Sequence, residues 1–392
     1  MKPPALPLEG IRVLDLSSLY AGPLIATNLG DFGADVIKVE HPRGDDARRW
    51  GLSKTLPNGT DIPLWWKSLS RNKRLITLDL HLATDLEIVR QLCQWADVLI
   101  ENFRPGRLES WGLGEQELKT LNPRLIVARV TGFGQTGPMQ QQPGFGTLAE
   151  AFSGFAFITG EANRPPTLPP FGLADGVAAL TGTYAVMMAL YWRDAQNGGL
   201  GQVIDLSLYE PLFSILGPQA IEFIQTKTIQ NRHGNRSKRT SPRNTYQTLD
   251  QRWVALSGGT QQVVNRMLVA IERPDLLSDA RFANAKARAK NSDELDVLIA
   301  NWIATHDLET VLTTFRAAEA PIAPVYDIEQ ILKDPQYQAR GSVVHIEDDE
   351  LGTAAMSGIV PRLSRTPGKI KFSGRTLLGH DQEEVLKMIG LK

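Results

Sequence analysis

The feature that most constrains this chain is an alternation. Ile11–Leu16 (IRVLDL) is an apolar run of strand length, followed by a helical pattern from Leu24 to Leu29 and a second run at Val36–Glu40. The order then repeats: Ile76–Leu80, a helix through LEIVRQLCQW, Asp97–Glu101, a helical stretch ending at Leu121, Leu125–Val130 and, later, Val203–Leu208. Strands alternating with helices predict an α/β fold with a doubly wound parallel sheet, whose ligand lies beyond the strands' carboxyl ends. The loops at those ends are SSLYAGP, HPRGDDARR, ENFRPG and TGFGQTGP. Glu40 stands where a ribose-binding acid would, but the first turn has no G-x-G-x-x-G, which argues against a nicotinamide enzyme.

Pro169–Trp192 (PPFGLADGVAALTGTYAVMMALYW) carries one charged side chain, Asp175, before a segment that is apolar on nearly every face. That pattern predicts a helix packed on all sides by protein, with a carboxylate at its mouth. Asp followed by Gly-Val-Ala-Ala reads as an N-cap. It also reads as a nucleophile, and the two are compatible, because a helix N-terminus favours an ionised carboxylate. The run is short for a bilayer span and holds Thr181, Gly182 and Thr183 in its middle, so core is expected and not membrane.

The bulk properties exclude several classes. At 392 residues the chain is long enough for two domains, or one extended one, and its net charge of −1 argues against a general polyanion binder. The basic run Arg232–Arg243 lacks the aromatic interleaving of a nucleic-acid module and reads as a solvated loop. Cys93 is the only cysteine, which leaves no internal disulfide and predicts a cytoplasmic or otherwise reducing compartment. The start, MKPPALPLEG, has neither a basic nor an apolar leader region. The six histidines show no ligand spacing, so no metal is expected. Polar turn formers at 231–244 separate a smaller unit with a strand at Trp253–Gly259 and helices at Val263–Ile271, Asp293–Ala304 and Leu308–Ala317. The expected organisation is a large domain at 1–224, a small one at 225–325, and a tail at 326–392 that returns to the first.

Taken together, LEGIRVLDLSSLYAGP, LGDFGADVIKVEHPRGDDARRW, SRNKRLITLDL, ADVLIENFRPG, LNPRLIVARVTGFGQTGP, the ADG around Asp175, GQVIDLSL, PVYDIEQILKDPQ and LLGHDQEEVL resemble the family III coenzyme A transferases, in family order from residue 8 to residue 386. The resemblance implies a Rossmann-like first domain, a smaller α/β domain and an interlocked homodimer. It implies acyl-CoA and carboxylate substrates, with CoA bound as substrate and no tightly bound cofactor. The family's nucleophile falls on Asp175. Its CoA-binding positions fall on Tyr20 and Ala21; on Leu78, Asp79, Leu80 and His81; on Asn102, Phe103 and Arg104; and on Thr131, Gly132, Phe133 and Gly134.

The residue chemistry is consistent. An aspartate is ionised at neutral pH without a general base, which suits a chain with no Ser/His or Cys/His pairing. Glycine turns at Gly258–Gly259 and at Gly132, Gly134 and Gly137 are either oxyanion donors or ordinary turns. Arg71, Lys73, Arg74 and Arg104 are candidate phosphate partners, and Arg48 and Arg243 candidate partners for a dicarboxylate. The rival within the resemblance is 2-methylacyl-CoA racemase, which needs an acid/base partner for Asp175. Similar racemases have Gly-His-Asp where this chain has Pro143-Gly144-Phe145-Gly146, favouring transfer. Tyr20 for Gln, Phe133 for Tyr and a short glycine pair depart from formyl-CoA transferase.

Overall fold

The structure is a computed structural model that describes residues 6–391 apart from 197, 238 and 239. Residues 1–5 of the N-terminal start, and Lys238 and Arg239 of the basic run, lie outside the described residues. Six strands, β1 (Arg12–Asp15), β2 (Asp35–Glu40), β3 (Lys73–Thr77), β4 (Val98–Glu101), β5 (Ile126–Thr131) and β6 (Val203–Ser207), form one sheet in the order β3-β2-β1-β4-β5-β6. Every neighbouring pair is parallel. The order reverses between β1 and β4, which creates a crevice at their carboxyl ends. β5 is buried along its whole length, as a strand covered on both faces must be.

Strand β3 begins three residues before the apolar run that predicts it. Lys73 and Arg74 read as a loop, yet both lie in the strand, because each has a carboxylate waiting on a neighbour. Lys73 Nζ is 3.0 Å from Asp15 Oδ2 and 2.6 Å from the Pro23 carbonyl, and Arg74 meets Asp35 at 2.6 Å.

Helix α1 (Ala21–Asp31) follows β1, α2 (Ala83–Trp95) covers the opposite face, α3 (Gly146–Phe152) follows the β5 loop, and α4 (Leu173–Ala195) packs on α1. Gly182 admits Ile25 against α4, and Asn28 Nδ2 donates to Thr183 Oγ1 at 3.1 Å, which explains the small and polar residues inside an apolar helix. α4 is long and apolar enough to cross a bilayer, but its inner face belongs to the core of this unit. Its other face departs from expectation. Leu180, Tyr184, Met188 and Tyr191 are 63, 55, 59 and 61 % exposed, forming a stripe at helical spacing that this chain leaves bare. The helical pattern expected from Leu212 to Gln230 is two helices, α5 (Tyr209–Ser214) and α6 (Gln219–Thr226), broken where Gly217 takes φ +84° ahead of Pro218.

The chain divides into two compact units, 1–155 with 168–226 and 341–392, and 156–167 with 227–340. In the second, β7 (Arg243–Gln247), β8 (Trp253–Ser257) and β9 (Ile322–Pro324) make an antiparallel sheet with β8 in the middle. It packs against α7 (Gln261–Ala270), α8 (Ser292–Ala304) and α9 (Leu308–Ala317) around Val254, Leu256, Ile299 and Phe315. In the first unit, residues 341–392 supply a hairpin of β10 (Val343–Asp348) and β11 (Gly352–Ser357), then α10 (Gln382–Met388). Asp381 fastens them to β3, accepting from the Leu75 amide at 2.7 Å and donating its own amide to the Leu75 carbonyl at 2.9 Å.

Candidate active site

The crevice stands on a buried ionic floor. Asp15 is held by Lys73, and Lys38 reaches Asp45 at 3.3 Å. Burial opposes the charge on Asp15, but Lys38 and Lys73 outweigh it and hold the carboxyl below its ordinary range. Above this floor the two loops of the switch point are tied reciprocally: the Ser18 amide donates to Asn102 Oδ1 at 2.8 Å, and Asn102 Nδ2 donates to the Ser18 carbonyl at 2.7 Å. Next to it Leu19 is held at φ +70°, an unfavourable value for leucine, by its amide's bond to Asp45 at 3.1 Å. Asn102 is therefore the clasp of the crevice as well as a wall residue.

A cavity of about 200 Å³ opens there, lined by Tyr20, Ala21, Asn102, Phe103, Arg104, Thr131, Gly132, Gly144, Phe145 and Asp175 among others. A Cβ on Gly132 would come within 2.5 Å of the Gly144 Cα, so the close approach of these two loops requires glycine. Asp175 is the third residue of α4, and Gly172 is the cap; the N-cap reading of Asp175 is thus corrected. The amides of Leu173 and Ala174 are satisfied by a residue that no sequence pattern singles out. Glu150, buried on α3, accepts them through Oε1 at 3.0 and 3.3 Å. Gly146, one turn earlier on the same helix, abuts Asp175 so closely that any Cβ would strike Oδ2.

Asp175 accepts no hydrogen bond from another side chain among the described residues. Burial, and then the charge of Glu150, push its carboxyl up to about 6. The expectation that the helix end keeps it near an ordinary aspartate is corrected: Glu150 occupies that end. At pH 7 it remains roughly nine-tenths ionised. Tyr20 packs edge-on against Trp65 at 5.2 Å, and burial and the charge of Asp175 raise its phenol above the ordinary value. The Pro143–Gly146 segment sets no histidine or acid against Asp175.

A second cavity of about 530 Å³ lies at the ends of β1, β2 and β3 and shares Ser18 and Phe103 with the first. Leu78, Leu80 and His81 line it, with His41, Arg43, Arg49 and Trp111. Trp111, also missed in the sequence, meets Phe103 and His81 edge-on at 5.1 and 6.0 Å. Asp79 lies beside this wall and accepts from the His81 amide at 3.0 Å.

Other candidates fall elsewhere. Arg71 is spent on Asp31 at 2.6 Å, Lys73 on Asp15, and Arg74 on Asp35, so none is a free phosphate partner. Arg48 clamps Glu40 at 2.6 and 2.7 Å and stacks over Trp66, which removes it as a substrate cation and explains why Glu40 does not project into open space. Phe133 packs with Phe152 and Tyr209, and it and Gly134 lie outside the cavity lining. Gly134 and Gly137 take φ +86° and +88°, as turn residues do. In the second unit, Gly258 donates its amide to the Pro242 carbonyl at 2.7 Å, while a side chain at Gly259 would meet open space. Arg243 donates to the Asn235 and Arg236 carbonyls. No group of three potential metal ligands occurs among the described residues.

A parallel sheet of this order, with helices on both faces, defines a doubly wound α/β fold whose switch-point crevice holds an aspartate. Residues 8–382 match the model of CoA-transferase family III, and the chain belongs to that family. It is therefore an enzyme, a CoA-transferase using CoA thioesters as substrates. It is 39 % identical to succinyl-CoA–D-citramalate CoA-transferase of Chloroflexus aurantiacus, covering 99 % of this chain and 95 % of that one. It is 33 % identical to succinate–glutarate CoA-transferase of Agrobacterium fabrum, covering 97 % and 95 %. The crystal structure of a CaiB/BaiF family protein from Brucella suis superposes with a TM-score of 0.87 at 30 % identity, covering 98 % of this chain and all of that one.

Proposed function

We propose that the enzyme transfers CoA from an acyl-CoA donor to a free dicarboxylate through covalent intermediates on Asp175. A carboxylate oxygen of Asp175 attacks the thioester carbonyl, the C–S bond breaks, and CoA leaves as thiolate with a mixed anhydride on the enzyme. The thiolate attacks the Asp175 γ-carbon, releasing the donor acid and leaving an aspartyl-CoA thioester. The acceptor carboxylate displaces CoA from it to form a second anhydride, and the thiolate takes the acceptor acyl group and frees Asp175. The observation that carries this reading is the Asp175 carboxylate, without a side-chain hydrogen-bond partner among the described residues, in the wall of the switch-point cavity.

In this reading CoA spans the two joined cavities. Its nucleotide lies in the larger one, near Arg43, His81 and Leu78–Leu80, and its pantetheine passes Phe103, Asn102, Tyr20, Ala21, Thr131 and Gly132 to reach Asp175. Arg104, whose side chain has no hydrogen-bond or ion-pair partner among the described residues, offers a cation on the same wall. A dicarboxylate is favoured because both relatives named above exchange CoA among such acids. The bare stripe on α4 supports a homodimer, interlocked as the family resemblance implies, in a reducing compartment where Cys93 stays a thiol. Residues 1–155, 168–226 and 341–392 are proposed as the CoA-binding domain, with 341–392 as its returning segment and the second unit as the small domain.

Incubation with succinyl-CoA, followed by mass spectrometry of the peptide holding Asp175, tests the mechanism. A CoA adduct or hydroxylamine-sensitive label on Asp175 is expected, and its absence overturns it. A panel of citramalate, malate and glutarate as acceptors tests the substrate class. The racemase alternative lacks the histidine or acid that such enzymes place at Phe145–Gly146; α-deuterium exchange without acyl exchange would restore it.

A further inference from the structure

α3 presents Gly146 and Glu150, one helical turn apart, to the start of α4. Gly146 leaves room for the Asp175 carboxylate, and Glu150 binds the two amides that precede it in α4. A helix N-terminus is ordinarily the place that stabilises an anion, and here a buried second carboxylate takes it. Asp175 is left beside that charge with only its own backbone amide to favour its ionised form.

We propose that Glu150 is a positioning residue for the nucleophile. It clamps the first turn of α4 so that Asp175 faces the cavity, and it keeps a negative charge beside Asp175 that is relieved whenever Asp175 is acylated. The inference rests on the transferase reading of Asp175. Its physical content is a difference between states. Ionised Asp175 is repelled by Glu150, whereas the anhydride and the aspartyl-CoA thioester are neutral and are not, so the charge favours the covalent forms over the resting enzyme. The raised Asp175 carboxyl is the resting-state sign of the same repulsion.

The titratable groups on the elements packed around the start of α4 do not cancel this. Tyr20 at the entry to α1 is neutral, and Arg104 lies in the exposed part of the cavity wall. Asp31 at the far end of α1 is held by Arg71, Asp205 on β6 takes the Gln135 amide, and Glu210 on α5 is bonded to Ser207. α4 carries no second charged side chain before Arg193.

Glu150→Gln is the discriminating variant, because its amide oxygen still accepts both backbone amides while the charge is gone. In the full-length enzyme with succinyl-CoA, the acid limb of kcat/KM is expected to fall by about one pH unit. The steady-state fraction of enzyme carrying the Asp175 adduct is expected to drop several-fold. Glu150→Asp keeps the charge but shortens the reach, so it should leave the acid limb high and lower kcat by roughly tenfold. An unchanged acid limb in Glu150→Gln, with the adduct still formed on Asp175, overturns the proposal. A 13C titration of Asp175 in the resting enzyme, assigned by Asp175→Asn, reads the same repulsion without turnover: a lower midpoint in Glu150→Gln supports the proposal and an equal midpoint refutes it. Absence of any adduct in the parent enzyme would instead remove the transferase mechanism, on which this titration does not depend.

Discussion

Asp15, fully buried on the floor of the switch-point crevice, and Asp175, half-buried in its wall, are driven in opposite directions by their surroundings. Asp15 is enclosed by Lys38 and Lys73, which overcome the cost of burial and hold it ionised. Asp175 meets burial again, but its nearest charge is Glu150, and its carboxyl rises to about 6. The difference teaches that burial alone assigns no role. A buried carboxylate matched by cations is a strut, and in the transferase reading proposed above the one left beside a like charge is the group that reacts.

Removing the reactive member should give the largest effect. Asp175→Asn is expected to lower CoA transfer by at least about a thousandfold, read by turnover with succinyl-CoA. The same variant should be the more stable protein. Because the folded-state value lies above the unfolded one, the stabilising contribution of Asp175 is fully present below about pH 4 and is lost as pH rises through about 6. At pH 7 urea unfolding should therefore show a gain of up to about 3 kcal/mol for Asp175→Asn, vanishing below pH 4. A variant less stable than the parent at pH 7 would break the contrast with Asp15.

Breaking the strut should do the reverse. Lys73→Met leaves Asp15 buried beside a single lysine and should cost about 3–5 kcal/mol of stability by denaturant unfolding. An unaltered midpoint would show that the floor carries no energy. Next comes Gly146→Ala, whose methyl group would displace Asp175 and lower kcat/KM by about a hundredfold with far-UV circular dichroism unchanged. The smallest effect is expected at Arg43→Ala, where losing one solvent-accessible phosphate partner should raise KM for acyl-CoA about tenfold at low salt and less at high salt. An Arg43→Ala enzyme with normal KM would shift the phosphates away from the larger cavity.

The fold was legible because strand and helix periods alternate and each apolar run has two covered faces. β1, β2, β4, β5 and β6 fall within a residue or two of those runs, and Asp175 is recognisable as a lone charge at the head of an apolar helix. Charges mislead where the fold supplies their partners. Lys73 and Arg74 look like loop cations until β1 and β2 set Asp15 and Asp35 beside them. Arg48 looks like a substrate cation until Glu40 takes it. The stripe on α4 looks like core because sequence does not say which faces of an apolar helix the fold leaves open.

What the sequence by itself determined is the sheet, its crevice and the carboxylate placed there, since these follow from local period and from motifs read in order. Only the tertiary structure decided how that carboxylate behaves. Glu150 is twenty-five residues from Asp175 along the chain, and no periodic pattern links them. Their proximity comes from packing α3 against α4, and an electrostatic field depends on distance through space, not on separation in the chain.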